Sequence, residues 1–125
     1  MRSVLLITAL VLGVSSAVAR LAVAQTLCTE PAMPAPVDGN AASADQMRVA
    51  MAEARNFIAQ SSVYQDCLMQ EVDAAKAQAT TSGQPFDGAI EAGARTKVDA
   101  SKKAQEKVGG EATTAMAAFK NAHPH

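Results

Sequence analysis

The two cysteines are the residues of this sequence best suited to chemistry. Cys28 and Cys67 are the only cysteines among the 125 residues, and they are not arranged as Cys-x-x-Cys. A redox-active site commonly needs that arrangement to hold a resolving thiol beside the nucleophile. In a chain that leaves the cytoplasm, two cysteines favour one structural disulfide, with pairing between two chains as the alternative. We therefore predict a disulfide between Cys28 and Cys67 within one chain.

Other side chains that could carry chemistry do not form a site in the sequence. His123 and His125 flank Pro124 at a chain end that should fray, and no third metal ligand lies near them. Paired acids need a protected cleft, whereas the carboxylates spread around both predicted helices: Glu53, Asp66, Glu71, Asp73, Glu91, Asp99, Glu106 and Glu111. We predict no catalytic, cofactor-binding or metal-binding residue, no cofactor, and a chain that is not an enzyme.

Sequence motifs for a catalytic serine, for nucleotide binding and for nucleic-acid binding are also missing. The serines lack a G-x-S-x-G context, and the glycines form neither a P-loop nor a dinucleotide fingerprint. Tyr64 is the only tyrosine and there is no tryptophan, so bases find no stacking platform. These features predict no nucleic-acid partner.

The N-terminus predicts export. Arg2 precedes an apolar run from Val4 to Gly13, which is interrupted by Thr8 alone and is too short to span a membrane. Small-residue cleavage patterns end at Ala19 and at Ala24, and we favour the second. We therefore predict a signal peptide over residues 1–24, with cleavage after Ala19 as the alternative, and no membrane span after its removal.

The mature chain predicts one small domain with a thin core. Without residues 1–24 it has 101 residues and 9 basic against 12 acidic side chains, a net charge of −3. It contains 23 alanines but only 13 residues of Leu, Ile, Val and Phe together. Alanine is the best helix former, so long helices packed through small side chains are expected. Such a core gives little hydrophobic stabilisation.

The chain divides into an extended arm, two helices and a tail. Prolines at positions 31, 34 and 36 exclude regular helix from the arm, residues 25–42. Ser43 and Gln46 fit a capping box that starts helix one, over about residues 43–82. Helix one then follows a seam in alternating steps of four and three residues: Met47, Met51, Ala54, Ile58, Ser61, Gln65, Leu68, Val72, Ala75 and Ala79. Gly83 and Pro85 end it.

Helix two is predicted over about residues 87–122, with Asp87 as its N-cap and residues 123–125 as a tail. Its seam keeps one phase across Gly109 and Gly110, so we expect a continuous or mildly kinked helix, with a break as the alternative. The seam residues are Ile90, Ala94, Val98, Ser101, Gln105, Val108, Ala112, Ala115, Phe119 and Ala122.

The short connection predicts an antiparallel hairpin, residues 43–122. Counting outward from the turn puts Ala79 near Ile90, Val72 near Val98, Gln65 near Gln105 and Met51 near Phe119. Both seams become polar at the same level, Ser61 with Gln65 on one helix and Ser101 with Gln105 on the other. This agreement supports the pairing.

The proposed disulfide is compatible with the length of the arm. Cys67 lies roughly 33 Å along helix one from its start, and the residues from Cys28 to the helix could span about 53 Å as polyproline. Phe57 and Tyr64 form a stripe beside the seam, and we expect helix two to leave this stripe uncovered. An arm that folds back along helix one would cover it. The predicted fold is thus all-α, an antiparallel two-helix hairpin with an extended Pro-rich N-terminal arm pinned back by the disulfide.

Several local patterns resemble a known group of proteins. They are Cys28-x-x-Pro31, Pro36-x-Asp38-Gly39, the stretch from Phe57 to Tyr64-Gln65-x-Cys67, and an Ala/Lys-rich second helix. Together they make most of the mature chain similar to uncharacterised small exported α-helical proteins of alphaproteobacteria. That group has no assigned activity, so the resemblance implies no catalytic residue. It implies an envelope location and a disulfide between the two cysteines.

The sequence favours a non-enzymatic periplasmic or envelope protein that acts by protein–protein contact. Its partner would be an unidentified protein, and the small-residue seams would also permit a homodimer. The alternative is a periplasmic module for a small ligand or a metal, using the polar level at Gln65 and Gln105 or the C-terminal histidines. A buried concave site with converging polar groups would favour that alternative.

Overall fold

The computed structural model describes residues 28–124 and contains two long helices there. Helix α1 runs over Ala44–Ser82 and helix α2 over Gly88–Ala122. The predicted signal peptide, the first three residues of the predicted arm and His125 lie outside the described residues. Within the described part there is no strand, so the all-α prediction is confirmed. No helix described there has the length and apolar character needed to cross a bilayer.

The start of α1 is fixed by the predicted capping box. The Ser43 hydroxyl accepts a hydrogen bond of 3.2 Å from the backbone N–H of Gln46. The side chain of Gln46 accepts one of 2.8 Å from the backbone N–H of Ser43. Two N–H groups that would otherwise lack partners are thereby satisfied.

The turn between the helices also follows its local sequence. Gly83 has φ 65°, a left-handed conformation, and its N–H donates to the carbonyl groups at the end of α1. This conformation is expected of glycine at a helix C-terminus. Pro85 prevents continuation, and the Asp87 carboxylate then accepts from the N–H of Ala89 at 2.9 Å to start α2.

The helices pack antiparallel. Near the turn, Lys76 Nζ lies 2.7 Å from a carboxylate oxygen of Glu91. Halfway along, the side chains of Gln65 and Gln105 are hydrogen-bonded, as the sequence predicts. At the far end, Met51 and Phe119 pack against one buried cluster.

Helix α2 continues through its two adjacent glycines, which confirms the prediction of one helix. Val108 before the pair and Ala115 after it are both buried. Because the apolar face keeps its phase, burial on both sides of the pair compensates for the low helix propensity of glycine.

The arm packs on both helices at its C-terminal end. Ala42 belongs to a buried cluster with Met47 of α1 and Ala115 of α2, and Val37 packs against that cluster. Gly39 is buried between them, and a Cβ placed there would overlap the Ala115 carbonyl oxygen. Only glycine therefore permits this approach of the arm backbone to α2.

The elements that cover Phe57 and Tyr64 differ in part from the prediction. Phe57 is buried in a cluster with Ala54 and with Val108 of α2, so α2 contributes to covering it. The sequence predicts cover by the arm alone, so the prediction is wrong for Phe57. The difference arises because a large aromatic ring reaches beyond the face that its Cβ position defines.

Gly39 and Gly110 allow a matched test of arm docking. We expect Gly39→Ala to lower the free energy of unfolding by about 1–3 kcal/mol, because the methyl group overlaps backbone atoms that cannot rotate away. Gly110→Ala should raise it by about 1 kcal/mol, because Ala is the better helix former and the new Cβ meets nothing within 4 Å. Urea denaturation of both variants measures the two shifts. A neutral Gly39→Ala variant would contradict the close packing of the arm.

Candidate functional site

The predicted polar level forms one hydrogen-bonded layer between the helices. Gln65 Nε2 donates to Ser101 Oγ at 3.0 Å and to Gln105 Oε1 at 2.9 Å. Gln105 Nε2 donates to the Ile58 carbonyl at 2.8 Å and to Ser62 Oγ at 3.1 Å. Each amide nitrogen therefore has two acceptors inside the protein, which uses its full donor capacity.

This layer can fix the register of the hairpin. Sliding α2 by one turn would separate Gln105 from its acceptors and leave half-buried amide groups without partners, which costs free energy. The apolar clusters on either side, which include Met47 and Phe57, are held by non-directional contacts that carry less positional information. The layer thus aligns the helices by polar pairing.

The buried serine next to this layer behaves differently. Ser61 is 1% exposed, and its hydroxyl has no hydrogen-bond partner among the described residues. A buried hydroxyl without a partner is unfavourable. A small side chain at this position nevertheless lets the two helix backbones lie close together.

The cysteines form the predicted intrachain disulfide, with their Cα atoms 5.8 Å apart. A carboxylate oxygen of Glu71 and the two sulfurs all lie within 4.8 Å of one another. The two sulfurs are bonded to each other, so neither is a thiolate that could bind a metal ion in this state. The pair therefore acts here as a cross-link between the arm and α1.

Tyr64 lies buried one helical turn before Cys67. Burial raises the pKa of its phenol, and the negative charges of Glu30 and Glu71 raise it further. Glu30 belongs to the arm, which the disulfide holds beside α1. The phenol is neutral at ordinary pH and is not activated as a nucleophile or base.

Near the turn, Glu91 joins the two helices electrostatically. Its oxygens lie 2.7 Å from Lys76 Nζ of α1 and 2.6 Å from a guanidinium nitrogen of Arg95. Hydrogen bonds from Lys76 and Arg95 lower the pKa of the Glu91 carboxyl. The sequence did not predict this contact, because counting outward from the turn places Lys76 level with about Ala94, and the long lysine side chain bridges the remaining turn to Glu91.

The C-terminal histidine that the structure describes is engaged by its own helix. The backbone N–H of His123 donates to the Phe119 carbonyl at 3.0 Å, and its ring stacks on the Phe119 ring with centroids 4.4 Å apart. The His123 ring nitrogen Nδ1 also lies 3.0 Å from that carbonyl oxygen. His125 lies outside the described residues.

The space beneath the arm is small. A cavity of about 20 Å³ lies between Pro34 and Val37 of the arm and Met51, Ala54 and Val108 of the helices. That volume holds about one water molecule and no organic ligand. Wider and more open grooves of about 440 and 380 Å³ lie where the arm meets α2 and where it meets α1.

The polar layer can be tested by a double-mutant cycle. We expect Gln65→Ala and Gln105→Ala each to lower the free energy of unfolding by about 1–3 kcal/mol, since each leaves a half-buried partner unsatisfied. Because the pair interacts directly, the double variant should lose about 0.5–3 kcal/mol less than the sum of the two single losses. Denaturant unfolding of the four proteins measures the coupling. Strict additivity would show that the two glutamines do not set the register together.

Comparison of the chain with protein-family models, with curated proteins and with solved structures finds no match in any of the three. The geometry of the hairpin, its polar layer and its disulfide is therefore the basis for assigning a role.

Proposed function

We propose that this chain is a non-enzymatic exported protein of the periplasm or envelope that acts by protein–protein contact. The disulfide supports this location, because disulfides persist in oxidising compartments and are rare in the cytosol. The apolar run at residues 4–13 and the pattern Ala22-Val23-Ala24 supply the export signal. The resemblance to small exported proteins of alphaproteobacteria implies the same location.

One observation carries the contact function: the amide donors of the polar layer are hydrogen-bonded to acceptors inside the protein and not to an outside ligand. Gln65 donates to Gln105 Oε1 and to Ser101 Oγ, and both donors of Gln105 are used on oxygen atoms of α1. A site that recognises a small molecule usually presents a few unpaired polar groups in an apolar pocket. Here the donors are already engaged and the space beneath the arm holds about one water. Recognition is thereby left to the outer faces of the helices.

Those outer faces expose apolar side chains. Val63 is 69% exposed and Val49 54% exposed on α1. Ile90 was predicted on the seam of α2, but it lies close to the turn and is 45% exposed. Single exposed apolar residues are common on proteins and need no special explanation. This chain, however, has few large aliphatic residues. The exposed ones are therefore a substantial share of the apolar surface that it could have buried.

In this proposal the disulfide holds the surface formed by the arm and α1 in one conformation. The arm is pinned to α1 at Cys67 and to both helices near Gly39, so its prolines are presented in one position. A partner would then meet a rigid surface, and little conformational entropy would be lost on binding.

The test begins with protein recovered from the envelope of cells that produce the full chain. Intact mass should show a chain that begins at Gln25; a mass beginning at Arg20 would shift the cleavage site only, and a membrane-bound species retaining Met1 would contradict export.

A photo-reactive amino acid in place of Val63 should then give one cross-linked protein product of defined mass. The same amino acid in place of Lys103, which is exposed on α2, is the matched control and should give none.

The competing function predicts a different result. A small-ligand or metal-binding module would show no specific cross-link from outward positions on either helix. It would instead be stabilised against heat by a divalent metal ion or by a small-molecule fraction of the envelope. That pair of results would contradict a contact function.

A further inference from the structure

We propose that the outer face of α1 binds a second copy of this chain, with the two α1 helices antiparallel across a two-fold axis. The face is defined by Arg48, Arg55, Asp66 and Asp73, all of which are exposed. Their steps of seven, eleven and seven residues correspond to nearly whole numbers of helical turns, so the four side chains share one stripe. We call it the α1 charge stripe.

The charges of this stripe are largely unused within one chain. Arg55, Asp66 and Asp73 take part in no ion pair among residues 28–124. Arg48 pairs only with Asp45 on its own helix, and the two side chains are 75% and 80% exposed. A pair so exposed contributes little, so Arg48 can change partners readily.

The order of the charges makes the stripe complementary to itself. The positive residues lie in its N-terminal half and the negative residues in its C-terminal half. Arg55 and Asp66 are equally far from the midpoint between positions 60 and 61, and the same is true of Arg48 and Asp73. When two such helices run antiparallel, each arginine therefore faces an aspartate of the other copy. A parallel pair would instead place like charges opposite one another.

The side chains between the charges permit close approach. Ala52, Ala59 and Ser62 are exposed on the same face of α1. Because the distance between packed helices is set by the side chains at the contact, these small residues let the two α1 helices lie close together. An isologous two-fold contact of this kind is the commonest form of protein self-association.

The arm does not obstruct this face, and α2 reaches only its edge, where Gln105 Nε2 donates to Ser62 Oγ at 3.1 Å. The arm contacts the opposite flank of α1, where Pro36 and Val37 lie beside Val49 and Glu53. The groove between the helices, lined by Ile58, Gly109 and Met116, opens beside the stripe. A second hairpin on the stripe would cover part of that groove and produce a bundle of four helices.

This self-association goes beyond the proposed function and does not depend on it. A monomeric protein could still act by contact with a different partner. A dimer could equally form in a protein that binds a small ligand. Failure of one proposal therefore leaves the other standing.

Charge variants of the exported chain, with its disulfide intact, test the dimer. The unmodified protein should sediment with twice the monomer mass as its concentration rises, and should return to the monomer mass as salt screens the charges. The variant Arg48→Asp/Arg55→Asp has an entirely negative stripe, and Asp66→Arg/Asp73→Arg has an entirely positive one. Each should remain monomeric alone, and an equimolar mixture should recover the doubled mass.

A fourfold inversion is the matched control. The variant Arg48→Asp/Arg55→Asp/Asp66→Arg/Asp73→Arg keeps the mirror relation and should dimerise like the unmodified protein. All substitutions are at exposed positions, and circular dichroism should show the same helix content in every variant. A monomeric unmodified protein at all concentrations would overturn the proposal. So would dimers in either like-charged variant alone, or a mixture of the two that remained monomeric.

Discussion

The disulfide between Cys28 and Cys67 is the constraint on which the position of the arm, and through it the stability of the whole domain, depends. It joins residues 39 positions apart and holds the start of the arm against the middle of α1. Closing a loop of this length removes enough entropy from the unfolded chain to be worth about 4 kcal/mol in the chain-entropy model. Net stabilities of domains are only about 5–15 kcal/mol. In a protein whose most buried side chains are Met47, Val72 and Ser61, the cross-link is therefore a large contribution.

The inner and outer faces of the hairpin have different roles. Inside, Gln65 and Gln105 set the register of helices whose apolar contacts are non-directional. Near the turn, Lys76 and Glu91 add an ion pair across the two helices. Outside, α1 exposes Val49 and Val63. Arg55, Asp66 and Asp73 are also exposed there and form no ion pair among residues 28–124. This division accounts for a hairpin whose two interhelical glutamines are hydrogen-bonded within residues 28–124 while these charges point outward.

The sequence predicts those features that depend on neighbouring residues. Ser43, Gly83 and Asp87 determine the helix ends through local hydrogen bonds and dihedral angles, so each could be recognised from its immediate context. The Gln65–Gln105 contact could be predicted because a short turn fixes the count between two periodic seams. The close approach of Gly39 to Ala115 could not, because it depends on where a non-periodic arm comes to rest. The cover of Phe57 by α2 was missed for a related reason: seam positions locate Cβ atoms, and a ring extends well beyond them.

Hydrogen exchange of the arm, with and without the cross-link, tests the central claim most directly. Peptide mapping of the exported monomer without reduction should first recover Cys28 and Cys67 in one linked peptide. The amides of Ala41 and Ala42, which donate to the Asp38 carbonyl, should then exchange slowly in the unmodified protein. In Cys28→Ser/Cys67→Ser they should exchange at nearly unprotected rates, while amides in the middle of α2 remain protected. Free thiols, a disulfide only between chains, or an arm equally protected in the variant would contradict this account.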